Sequence, residues 1–73
     1  MEVVAMMCMI ATSDGSGLSL LDYPTYEAQV IGGVDSGEWV TFNFSDRSGQ
    51  WAEVTDSEGE TGWVEIEYLD CQS

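Results

Sequence analysis

The sequence has no histidine and no lysine, and its one arginine, Arg47, stands against fourteen aspartates and glutamates, for a formal net charge of −13. Each absence excludes something. Without His or Lys there is no ready base to activate a nucleophile, and the negative field raises the pKa of the two cysteines, Cys8 and Cys71. Carboxylates alone form an acid–base pair only where a cleft pushes their pKa values apart. A chain of 73 residues has little room for such a cleft. The expectation is therefore a protein that is not an enzyme. A closed zinc site needs more Cys and His ligands than two distant cysteines supply, so no metal and no cofactor is expected. Nucleic-acid phosphates are held by Lys and Arg, which excludes direct nucleic-acid binding and disfavours anionic membranes. Basic partners are favoured.

Long hydrophobic runs are also missing. The longest, Val3 to Ala11, has nine residues, where a spanning helix needs about 20. Glu2 stands where an export signal would be basic. With no signal or anchor read, a cytoplasmic location is expected, with Cys8 and Cys71 as reduced thiols.

What is present suits a small folded unit. Apolar residues make up 44% of the chain and aromatics 11%, enough for a core and against disorder. A chain this short buries only about 60% of the surface it exposes when unfolded, so it reads as one domain, 1–73, with a thin margin.

Along the chain, 1–11 reads as an apolar N-terminal strand. Its run over 3–10 is apolar on both faces, and such a strand needs cover on both. The chain terminus, a partner or a homodimer through 3–10 would supply it. Thr12 to Gly17 is a turn, and its Asp14-Gly15 pair is a hairpin signal. Leu18-Ser19-Leu20 begins a strand that ends at Asp22 to Glu27, the segment containing the chain's one proline, Pro24. Ala28 to Gly33 brings the chain back with Val30 and Ile31 buried. Glu38 to Phe44 alternates with period two, placing Val40, Phe42 and Phe44 on one face and Trp39, Thr41 and Asn43 on the other. Asn43-Phe44-Ser45 matches a glycosylation sequon, but its strand position makes the match accidental. Gln50 to Cys71 reads as strand, turn at Asp56 to Gly59, strand, short helical turn and last strand. Asp14 and the Asp56 to Glu60 run invite a calcium reading, but neither has the spaced ligands of a calcium loop. They are read as turns. The sum is an all-β chain of five to six short antiparallel strands with one short 3-10 turn near the C-terminus, the pattern of a small sandwich or barrel.

Several pieces in this order resemble the bacterial SH3 (SH3b) family, over 18–69. They are Leu18-Ser19-Leu20-Leu21-Asp22-Tyr23-Pro24, Val30-Ile31-Gly32, Gly37 with Val40-Thr41-Phe42, Trp51 with Val54, Gly62-Trp63-Val64, and Tyr68-Leu69. The resemblance implies a partly open SH3-like barrel with its first and last strands adjacent. That adjacency would make Cys8 and Cys71 neighbours and a disulfide between them feasible. The chain lacks the family's usual Asn-Val-Arg-Ser-Gly before the proline. Its Ser19 to Tyr23 is also a little like the opening of eukaryotic SH3 domains, without the proline that completes their polyproline groove.

The resemblance also implies a shallow aromatic groove, into which Tyr23, Tyr26, Trp51 and Tyr68 fall. Glu27, Asp46, Glu53, Glu65 and Glu67 would rim it. Such a face suits an Arg- or Lys-bearing segment, through charge pairing and cation–π contact. The leading expectation is a non-enzymatic module that binds a basic protein surface or peptide. The alternative is an acidic mimic of nucleic acid that blocks a DNA- or RNA-binding enzyme, of anti-restriction or anti-CRISPR type, which needs carboxylates in parallel rows. A third expectation, from the family, is cell-wall peptide binding.

Overall fold

A computed structural model describes residues 5–72. It is all-β, with seven strands: β1 Met6–Ile10, β2 Leu18–Leu21, β3 Val30–Val34, β4 Trp39–Ser45, β5 Trp51–Thr55, β6 Thr61–Glu65 and β7 Leu69–Cys71. A single 3-10 turn, Ile66–Tyr68, joins the last two. They form one antiparallel sheet in the order β3-β2-β6-β5-β4-β1-β7. The ends of that order, β3 and β7, do not pair with each other, so the SH3-like barrel stays open. The seven strands of the described residues exceed the five to six expected, with β1 paired to both β4 and β7.

The inner face is lined by Ile10, Leu20, Val34, Val40, Ala52, Val54, Val64 and Cys8, all buried, with no polar or charged side chain buried among the described residues. Each large aliphatic in this set contributes about 1.5–3 kcal/mol by leaving water. The β5–β6 hairpin organises the core. Ala52 and Val54 point inward from β5, and Val64 from β6. The turn between them is closed by Asp56, whose Oδ1 accepts from the Glu58 and Glu60 N–H groups at 3.0 and 2.8 Å. Gly59 supplies the positive φ, +85°. At Gly62 a Cβ would lie 2.8 Å from the Leu20 Cβ, so the close approach of β6 to β2 requires glycine.

Several sequence expectations are corrected. Asp14-Gly15 does not make a hairpin: β1 pairs with β4 and β7, and β2 with β3 and β6. Asp14 instead folds the β1–β2 loop onto itself, its Oδ1 accepting from Ser16 N–H and Oγ at 3.0 and 2.7 Å. Val30 and Ile31 are not buried. They are 59% and 42% exposed, because β3 is the edge strand and its pairing with β2 shifts register between Leu20 and Leu21. Phe44 does not follow Val40 and Phe42 inward. A register shift between Phe42 and Phe44 adds a residue at Asn43 and turns Phe44 to the outer face.

The cysteines are not free. Cys8 and Cys71 lie directly opposite on β1 and β7 and are bridged. The flanking Gln72 N–H bonds Met7 O and the Ala11 N–H bonds Tyr68 O. That phase makes Cys8–Cys71 a non-hydrogen-bonded pair, where opposed strands come closest. On the outer face of β1 Met7 is exposed and Met9 half-buried, and Met6, in phase with Cys8 and Ile10, is exposed at the start of the inner row. Val3 and Val4, part of the expected dimer segment 3–10, lie outside the described residues.

Candidate functional site

The outer side of β5 carries Trp51, Glu53 and Thr55, because the inward positions are Ala52 and Val54. Trp51 is nonetheless only 5% exposed, and it stands apart from the central core cluster. Its cover comes from the β2–β3 loop. Asp22 closes that loop, its N–H bonding Gln29 O and its Oδ1 accepting from Gln29 N–H at 3.0 Å. The closure brings Tyr26 over Trp51, rings edge to face with centroids 5.0 Å apart. Tyr26 Oη then donates to Glu65 Oε2 at 2.6 Å and accepts from Gln50 Nε2 at 3.3 Å. Glu65 is the cross-strand partner of Trp51. Tyr26, Trp51 and Glu65 thus form one cluster, with Gln50 as a member that sequence reasoning did not single out.

Charge is concentrated beside this cluster. The Tyr26 phenol is raised above its ordinary pKa, first by its bond to Glu65 and then by burial and the charges of Glu65 and Glu67. The Tyr68 phenol is raised too, chiefly by the charges of Glu67 and Glu65. Tyr68 sits on the 3-10 turn and lines a shallow polar recess with Thr12, Ser13, Asp14, Ser16, Gly17 and Leu18.

The other expected residues lie further off or have local duties. Tyr23 and Glu27 are exposed in the β2–β3 loop. Asp46 holds the β4–β5 turn. Its carboxylate accepts from Ser48 Oγ at 2.8 Å and Trp51 N–H at 3.3 Å. Burial acts to raise its pKa, but hydrogen bonds from Ser48, Trp51, Gly49 and Gln50 hold it below the ordinary carboxylate range. Glu53 is one cross-strand row away from Glu65, opposite both Trp63 and Phe44. Phe44 and Trp63, which are not among the expected site residues, meet edge to face at 5.5 Å on the outer face.

Carboxylates occur in every connection between strands, including Asp14, Asp22, Asp35, Asp46, Asp56 and Glu67. Asp14, Asp22, Asp46 and Asp56 each accept from nearby backbone N–H groups. At these four positions the carboxylate does turn chemistry. No helix among the described residues is long and apolar enough to cross a membrane.

In comparison with known proteins, the family model described as Bacterial SH3 domain matches residues 16–70. No curated protein matches the chain.

Proposed function

The chain belongs to the bacterial SH3 domain family, and on that premise we propose that it is a non-enzymatic interaction module for a basic surface or peptide of a partner protein. The observation that carries this reading is the Tyr26–Trp51–Glu65 cluster, with Glu67 and Tyr68 beside it. Rigid aromatic rings give contact area at low entropic cost, and the carboxylates select for cations. Tyr23, Glu27, Asp46 and Glu53 extend the proposed face.

The test is capture of the partner from host extract, followed by titration at about 20 and 200 mM salt, which brackets a screening length near 10 Å. Affinity should fall steeply across that range, and further in Glu65→Gln and Tyr68→Ala. An affinity that does not change with salt sinks charge as the driver.

One observation favours a second reading, cell-wall peptide binding. The Cys8–Cys71 bridge supports an oxidising compartment over the cytoplasm. Sedimentation with purified peptidoglycan tests it, and a chain that stays in the supernatant at all salt concentrations rules it out.

A further inference from the structure

We propose that the outer-face row running from Val30 to Phe44, which adjoins the face proposed above at Glu53, is itself a docking surface, and that it takes a partner segment in which apolar side chains flank an arginine or lysine. This rests on the reading of the chain as a binding module, but not on the Tyr26–Trp51–Glu65 cluster.

Pairing register places Val30 opposite Leu21, Leu21 opposite Trp63, Trp63 opposite Glu53, and Glu53 opposite Phe44. Directly opposed residues share a face. These five therefore form one row across β3, β2, β6, β5 and β4. At about 4.8 Å per strand the row spans roughly 19 Å, the length of a short extended peptide. Its ends are open, with Val30 59% and Phe44 52% exposed. Phe44 reaches across to Trp63, so the two rings form a wall beside Glu53.

Glu53 decides what fits. It is partly buried in an otherwise apolar row, and its carboxylate accepts from Asn43 Nδ2 at 3.3 Å. The chain's one arginine, Arg47, is exposed in the β4–β5 turn. A wholly apolar occupant would cover this carboxylate without neutralising it, which is costly. A second copy would bring its own net charge of −13 to the contact. An arginine or lysine between apolar neighbours satisfies both demands, making a charge-assisted bond to Glu53 while its flanks cover Val30, Leu21 and the Trp63–Phe44 wall.

The test is selection of a displayed random dodecapeptide library on the folded chain, followed by titration of the leading synthetic peptide. Enriched sequences should place Arg or Lys between aliphatic or aromatic residues, and the peptide should shift the Trp63 indole N–H in NMR spectra. Phe44→Ser and Val30→Ser, both at exposed positions, should weaken it by about ten-fold or more. Glu53→Gln should abolish its preference over the same peptide with citrulline in place of arginine. Peptides that bind all three variants normally but fail on Tyr26→Ala would overturn this face and leave the aromatic cluster standing. No enrichment would overturn both. Enrichment of purely apolar peptides, or self-association that moves the same NMR signals, would overturn the cationic occupant.

Discussion

Tyr26 Oη donates to Glu65 Oε2 at 2.6 Å, joining a loop to a strand across 39 positions of sequence. The bond needs the phenol protonated, and the raised pKa of Tyr26 is the same fact seen from the proton's side. A folded-state pKa above the unfolded value gives stability that is complete below the unfolded pKa and is lost as pH rises through the folded one. The loop should therefore hold below about pH 10 and loosen above it. Absorbance titration of the phenols should show late ionisation, and Glu65→Gln should move Tyr26 back toward its ordinary value. Trp51 emission should shift red in the same alkaline window, as its cover leaves. An unchanged Tyr26 titration in Glu65→Gln would contradict the assignment.

The bridge between Cys8 and Cys71 ties residues 63 positions apart. In the chain-entropy view a loop of that length contributes roughly 4 kcal/mol by restricting the unfolded state. For a domain this small that is a large share of the total. Thiol titration of the unfolded, unreduced protein should detect no free cysteine. The Cys8→Ser, Cys71→Ser double variant should lose up to about 4 kcal/mol in denaturant unfolding. The loss should fall on β7, which has only three residues and pairs with β1.

The segment Gln50 to Cys71 was legible because its signals are local: alternation in β5, Asp56 and Gly59 in the turn, Gly62 at a close approach. The register shifts at Asn43 and Ile31 were not. A bulge adds one residue and reverses every later side chain, and nothing in the alternation of Val40, Phe42 and Phe44 announces it. The outer row is hidden for that reason, since plain alternation places Phe44 on the same face as Val40 and Phe42. The cysteine bridge and the Tyr26–Glu65 bond are contacts between distant segments, and only the likeness to a barrel with adjacent end strands pointed toward the first.

Gly62 and Gly33 make a contrasting pair. A Cβ at Gly62 would lie 2.8 Å from Leu20 Cβ and 3.2 Å from Leu21 O, both fixed in β2. At Gly33 the nearest atom is Leu18 O at 3.5 Å, an ordinary contact. Gly62→Ala should cost about 1–3 kcal/mol by overpacking, lowering Tm by about 4–8 °C per kcal/mol for a domain of this size. Gly33→Ala should leave Tm nearly unchanged. Equal effects would mean that β6 does not approach β2 as closely as Gly62 requires.

Two opposite responses to acid should compete in this chain. General repulsion among fourteen carboxylates weakens as they protonate, so stability should first rise as pH falls from neutrality. Asp14 and Asp46 respond in the other direction. Asp14 is held below the ordinary carboxylate pKa by hydrogen bonds from the Ser16 N–H and hydroxyl. Asp46 is held low by Ser48, Trp51, Gly49 and Gln50 against the opposing effect of burial. A depressed folded-state pKa gives stability that is present above the unfolded value and lost as pH falls through the folded one. Tm should therefore peak at about pH 4–5 and fall below it, as the turns lose their acceptors. Added salt should raise Tm at pH 7, where repulsion is fully developed, and much less at the peak, because screening removes only what protonation has left. Thermal unfolding over a grid of pH and salt measures both. A profile that declines steadily from neutrality, with no salt effect at pH 7, would mean that local turn bonds outweigh the collective charge throughout.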